Sequence, residues 1–426
     1  MWGLTASIVN ITIGGGIFRL PAAAAGTLGA AAPLAYIVCA IAMALIVLCF
    51  AEAGSRVSLT GGVYAYVEIA FGPLAGFVTG VLMWAGITVA TAAVSSLFAD
   101  AVVSLVPSLA PWRAAAIAVV LALLAALNIA GVRGANRFVE VMTVAKLLPL
   151  ALLVAGGIAA VRSANLTIAH APAASHVARA SVVAIFAFLG VESALVPGGE
   201  VRDPSRTVPR AVFLAMTTIV CVYLAVQLVT QGILGSALAS AKTPLADAAA
   251  IAFGAWGRSV ILIGMIVSMF GYLSGMTLAV PRALYAFARD GFLPDAVAVI
   301  HARFHTPYIA IILQTLVVIL LAVSGTFEKL VVISNGTVLL VYAACSVAVI
   351  QLRRLDVRSD GAPFRVPFTA VVPVAAFLII AWILGTLSAD EWASLAVIVA
   401  AAVVVFAASM PARRARRAVS RAEARA

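Results

Sequence analysis

Three stretches of the chain carry hydrogen-bonding or ionisable chemistry where an apolar sequence has least use for it. In ITIGGGIFRLP, residues 11 to 21, Gly14, Gly15 and Gly16 follow one another inside an apolar run. Each glycine costs a helix about 1 kcal/mol relative to alanine. The triplet therefore either lets another helix pack closely or frees backbone amides towards a cavity. In AIFAFLGVESALVPGGEV, Gly190 stands two residues before Glu192, and a carboxylate in hydrocarbon usually faces a water path or a partner. In FVEVMTVAKLLPL, Lys146 lies about ten residues into an apolar run and is one of three lysines in the chain. Desolvation makes such an amine lose its proton readily.

Other reactive side chains fall outside any recognisable constellation. His170, His176, His301 and His305 lie in connections, and HARFH lacks the glutamate of a zinc-hydrolase helix. No P-loop, GxSxG or HExxH occurs. Cys39, Cys49, Cys221 and Cys345 sit within apolar runs without CxxC spacing and read as small core residues. The expectation is a protein that is not an enzyme and uses neither metal nor cofactor.

The elements that position these residues follow from composition. Of 426 residues, 64% are hydrophobic and 10% charged, and the mean hydropathy is +1.17. So few charges could not cover a soluble surface of this size. An all-α integral membrane protein is the fold class expected. Crossing about 30 Å of hydrocarbon takes roughly 20 helical residues. Twelve runs qualify, near 3 to 24, 29 to 51, 73 to 106, 113 to 131, 137 to 161, 178 to 200, 208 to 232, 258 to 288, 307 to 324, 329 to 352, 366 to 388 and 391 to 410.

Most of the 27 basic residues, among them Arg56, Arg133, Arg210, Arg289, Arg353 and the arginines after 411, fall on one side if both termini are cytoplasmic. That bias predicts a multi-pass protein of the cell inner (plasma) membrane. It also accounts for the net charge of +11 as a topology signal near anionic lipid; no nucleic-acid partner is expected. Residues 1–410 read as a single transmembrane domain, and 411–426 as a basic cytoplasmic tail that is solvated or lies on the lipid surface. Because the chain opens almost directly within its first apolar run, the natural start is expected upstream.

Two interrupted helices have a definite electrostatic consequence. A helix that restarts after Gly16 points unpaired amides and a positive pole into the cavity, which suits a carboxylate. One that stops near Leu189 leaves unpaired carbonyls and a negative pole, which suit an ammonium group. An α-amino acid carries both charges.

IGGGIFRLPA, SLTGGVYAYVEIAFGPLAGFVTG, FAFLGVES and GEVRDPSRTVPRA, in that order, resemble the amino acid-polyamine-organocation superfamily of permeases, nearest in motifs to its basic amino acid/polyamine antiporters. The resemblance covers essentially the whole chain. It implies a LeuT-type 5+5 inverted repeat, helices 1 to 5 against 6 to 10, with helices 11 and 12 appended, and secondary transport by alternating access. By position it implies that Ile13, Gly14, Gly15 and Gly16 meet the substrate carboxylate, and that Phe186, Ala187 and Leu189 offer carbonyls to its amine. Glu192 matches a glutamate implicated in gating and proton response. Lys146 resembles the lysine that replaces sodium in proton-coupled relatives, with Ser274 as a hydroxyl partner.

Departures from the antiporters bear on selectivity. Where arginine/agmatine antiporters carry two tryptophans, a tyrosine and an asparagine, this chain has Phe186, Met276, Met83 and Thr91. An apolar lining holds a second positive charge poorly, so a neutral amino acid is expected, with proton coupling or exchange. An amino acid/polyamine antiporter and a non-transporting amino-acid sensor are the alternatives. Arg19, three residues after the glycines, could face the outer vestibule, pair with Glu192 or steady the unwound segment. Met83 and Met276 are equally readable as gap-filling core residues.

Overall fold

The computed structural model describes residues 5, 8–9, 12–57, 63–131, 147–190, 204–358, 363–366 and 368–423, without side chains for 204–209, 212 and 412–423. Glu192 and Lys146 lie outside the described residues. All regular elements among the described residues are helical. In chain order they include α1 (Leu20–Leu28), α2 (Pro33–Arg56), α3 (Val63–Phe71), α4 (Pro73–Leu105), α5 (Arg113–Ile129) and α6 (Leu147–Ala160). After these come α7 (Ala174–Ala184), α8 (Pro204–Leu234), α9 (Pro244–Phe253), α10 (Ala255–Ala279) and α11 (Pro281–Arg289). The last four are α12 (Tyr308–Ser324), α13 (Phe327–Arg354), α14 (Val371–Leu384) and α15 (Ala389–Glu423). Short 3-10 turns join several of them, notably Gly15–Phe18, Ile185–Phe188 and Gly235–Ser240.

Local sequence explains the boundaries. Pro33, Pro73, Pro204, Pro244 and Pro281 each occupy the first position of a helix, where the missing N–H would have no intrahelical partner anyway. Among the described residues, seven segments are long and apolar enough to cross a membrane, and six shorter apolar helices accompany them. The helix of the last span continues past residue 411 to Glu423.

Burial sorts the helices into an inner and an outer set. The best apolar windows of α4 and α13 are each 72% buried, against 17% for the last span. These two inner helices pack on each other, and α10, α12 and α15 pack against α4. The peripheral helices show Val119, Leu123, Leu320, Val397 and Val404 on the surface, an apolar outside that a bilayer covers and water does not.

One end of the bundle is fastened by a buried carboxylate. Glu52, fully buried on α2, accepts from Arg56 Nε and Nη2 at 3.1 and 3.0 Å and from Arg353 Nε at 2.7 Å through Oε1. Its Oε2 accepts from Arg353 Nη2 at 2.6 Å and from the Val366 amide at 2.9 Å. Arg56 Nη1 also donates to the Val357 carbonyl at 3.3 Å, and Arg353 donates to the Thr369 carbonyl. Helix α2, helix α13 and the connection towards α14 thus meet on one side chain. A buried charge is tolerable only when its lone pairs are filled in this way.

Candidate functional site

The glycine triplet is where the first helix breaks. Thr12 is helical, Ile13 is a bend and Gly14 is extended, with φ −101° and ψ −158°. The chain then restarts as the 3-10 turn Gly15–Phe18 and, after Arg19, as α1. The first amides of a restarted helix have no partner within it. Two of the glycines are needed for close approach. A Cβ on Gly16 would lie 2.7 Å from Cδ1 of Phe186, and one on Gly15 would lie 2.9 Å from Cγ of Met269. Gly14 differs, since a Cβ there would meet only the Thr12 carbonyl at 3.9 Å.

The second break, described as far as Gly190, is the end of α7, and it lies opposite. Helix α7 tightens at Ile185 into the 3-10 turn Ile185–Phe188, Leu189 is extended (φ −65°, ψ 143°), and Gly190 has φ +104°. That last conformation is one that side-chain-bearing residues rarely adopt. The turn therefore ends with its carbonyl pole at the level where the first helix restarts, and the two 3-10 turns touch.

Between the breaks lies a cavity of about 100 Å³, small beside the roughly 300–1,000 Å³ of drug-sized pockets. Gly14, Gly15, Gly16 and Ile17 line it from the first break, and Phe186, Ala187, Leu189 and Gly190 from the second. Helix α4 supplies Met83, Gly86, Ile87, Ala90 and Val94; α10 supplies Tyr272 and Met276; α13 supplies Val338; Thr12 completes the wall. The start of the restarted helix and the carbonyl end of the Ile185–Phe188 turn border one chamber whose side chains, apart from Thr12 and Tyr272, are apolar. Such a chamber can hold a small zwitterion with its side chain against methionine, isoleucine, alanine and valine.

Eight of the ten residues expected to bind substrate line this cavity: Gly14, Gly15, Gly16, Phe186, Ala187, Leu189, Met83 and Met276. Ile13 is buried in the core. Thr91 is buried on α4 and its hydroxyl donates to the Ile87 carbonyl at 2.7 Å. Neither forms part of the wall. Ser274 is half-buried on α10 and also outside it.

Another residue of the site lies outside the four stretches that carry the family resemblance. Tyr223 on α8 is fully buried, packed edge-on against Phe188 with ring centroids 5.3 Å apart. Its hydroxyl lies 2.6 Å from the Ala187 carbonyl and 3.1 Å from the Thr12 carbonyl. One phenol thus joins the two breaks. Because a carbonyl has two lone pairs, Ala187 can still accept from a substrate amine. A tyrosine in the run CVYLAVQLV was the available signal, but its partner lies 36 positions away.

Arg19 resolves the three readings left open for it, by pairing with a residue none of them named. Its Nε and Nη2 donate to Glu328 Oε1 at 3.0 and 2.6 Å, and Nη1 donates to the Ala241 carbonyl at 2.6 Å. Phe327, next to Glu328 in the chain, meets Phe186 of the cavity wall edge-to-face at 6.1 Å. The aromatic contact and the partly exposed ion pair thus tie the start of α13 to the two interrupted segments. Such a pair is worth up to about 1 kcal/mol, or about fivefold in an opening equilibrium. Arg19→Ala should speed thiol labelling of Phe327→Cys by that factor, in a background whose native cysteines are replaced. Equal labelling rates would show that the ion pair does not restrain the start of α13.

A helix interrupted at Gly14 and another that ends at Leu189, around one small cavity in a chain this apolar, fit an integral membrane protein of the permease class. The family model described as amino acid permease matches residues 1–409, and the chain belongs to that family. It is 27% identical over 420 residues to the methylthioribose transporter of Bacillus subtilis (strain 168), covering 95% of this chain and 91% of that one. It is 26% identical to the serine/threonine exchanger SteT of the same organism, covering 89% and 88% of the two chains. It is 25% identical to the branched-chain amino acid permease BcaP, again of Bacillus subtilis, covering 88% and 84%.

Proposed function

We propose that this protein carries a small neutral α-amino acid across the plasma membrane by alternating access, binding the zwitterion between the two helix breaks. The observation that carries the reading is the cavity itself, bordered by both backbone interruptions, with Thr12 and Tyr272 as the polar side chains of an otherwise apolar wall. The serine/threonine exchanger and the branched-chain permease handle neutral amino acids by name, which supports the same class. None of the described lining residues is acidic, and a polyamine would leave a second cation without a counter-charge.

The reading includes twelve membrane helices in a 5+5 inverted repeat with helices 11 and 12 appended, both termini cytoplasmic, and the Arg19 end of the cavity facing outwards. Proton coupling or exchange through Lys146 and Glu192 is part of it, supported by the cost of burying either charge in hydrocarbon.

Uptake of radiolabelled amino acids into proteoliposomes, with and without an imposed pH gradient, tests the proposal. Saturable counterflow supports a carrier, whereas ligand binding without flux would leave a sensor. Met276→Trp tests the lining: an indole in place of the thioether fills the chamber and offers a face for cations. The variant should lower the preference for neutral over cationic substrates by about tenfold, a shift of about 1.4 kcal/mol. An unchanged substrate ranking would remove the selectivity argument.

A further inference from the structure

Helix α13 carries a polar run, Ser334-Asn335-Gly336-Thr337, within an apolar helix. Ser334, Asn335 and Thr337 are all fully buried. Two of them reach out of their own helix to neighbouring backbone. Asn335 Nδ2 donates to the Val182 carbonyl at 2.6 Å and lies 3.4 Å from the Val183 carbonyl. Ser334 Oγ donates to the Gly86 carbonyl at 2.8 Å.

The position of that first acceptor is informative. The Ile185 amide still donates to the Ser181 carbonyl, four residues back, and the chain then tightens into the 3-10 turn that ends at Phe188. Changing from i−4 to i−3 pairing skips one carbonyl at the junction. By count the skipped one is Val182, which Asn335 takes. Left alone, a buried carbonyl would favour reversion to the α-helical register, rotating every residue beyond it, Phe186 and Ala187 included. Helix α13 packs closely on Gly86 too, since a Cβ there would lie 2.6 Å from Thr337 Oγ1 and 2.8 Å from Cγ2 of Val338. Adjacent side chains of one helix therefore fix both the second break and the α4 wall of the same cavity.

We infer that Asn335 is the positioning residue of the second helix break, holding the α-to-3-10 switch that aims the carbonyl pole at the substrate's ammonium group. The inference rests on the amino-acid reading given above. Asn335 does not line the cavity, so its effect on substrate passes through helix α7.

Three measurements on purified protein test it. Asn335→Leu keeps the volume and removes the donor; amide hydrogen exchange at residues 185 to 190 should rise, and this readout needs no substrate. In proteoliposomes the same variant should raise KM about tenfold, the loss of one well-made hydrogen bond to a buried group, with the maximal rate much less affected. Asn335→Asp keeps the shape, but its ionised form has no donor, while the protonated acid has one. Its KM should fall on acidification more steeply than that of the wild type. Unchanged exchange in Asn335→Leu overturns the inference. Raised exchange with an unchanged KM also overturns it, leaving Asn335 a purely structural residue. Should the wild type transport no amino acid, the functional reading fails, while the exchange result still decides whether Asn335 holds the break.

Discussion

Replacing Gly15 with valine is expected to abolish saturable amino-acid uptake while leaving the protein inserted in the membrane at near-normal amounts. A Cβ at this position would already lie 2.9 Å from Met269 Cγ and 3.4 Å from Val94 Cγ1, and valine adds two methyl groups. Overpacking of this kind costs about 1–3 kcal/mol, and at a break the segment relieves it by moving away from α4 and α10. The amides that restart the helix move with it. Because they are the proposed carboxylate site, even a shift of a few tenths of an ångström acts on binding before it acts on folding. Affinity should drop at least about 100-fold, equivalent to about 2.7 kcal/mol, as measured by ligand-induced thermal stabilisation. The Glu52 cluster on α2 takes no part in this contact, so the fold should persist. Wild-type affinity in a well-folded Gly15→Val protein would count heavily against the backbone clamp.

Glu52→Ala should have the largest effect on stability. Removing the carboxylate leaves Arg56, 4% exposed, buried without the carboxylate it shares with Arg353, and strips the Val366 amide of its acceptor. Breaking a buried pair by deleting one partner costs about 3–5 kcal/mol. In detergent the unfolding midpoint should fall by several degrees, and the connection after α13 should become protease-sensitive. Glu52→Gln should lie between, since one amide oxygen still accepts. A midpoint equal to wild type would mean that the cluster adds no net stability. Because Arg353 and Glu328 sit at opposite ends of α13, this helix is tied to α2 at one end and to the start of α1 at the other.

How much of this was readable without coordinates depended on whether the signal was local. Three adjacent glycines, and a glycine two residues from a carboxylate, are interruptions any apolar run would betray, and both breaks fall there. The apolar lining was legible as well, because Met83 and Met276 stand out against the aromatic residues of the antiporters. Contacts between distant segments were not legible. Tyr223 meets Thr12 across 211 positions, Asn335 meets Val182 across 153, and Arg19 meets Glu328 across 309. No periodicity links such pairs, and a buried tyrosine or asparagine in a membrane helix has many acceptors to choose among. Thr91 illustrates the converse. Its type suits a polar site, but a threonine within a helix commonly turns its hydroxyl back to the carbonyl four residues earlier, as it does here.

Competition for one bound amino acid by two of its fragments tests most directly whether opposed backbone poles hold a zwitterion. Leucine is a suitable probe, with isoamylamine lacking the carboxylate and isocaproate lacking the amine. Each charge-assisted hydrogen-bonded group is worth about 1.5–3 kcal/mol. Both fragments should therefore compete at least about tenfold more weakly than leucine, and supplying them together should not restore its affinity. If either fragment competes as well as leucine, one of the two breaks does not bind a charged group, and the clamp is wrong.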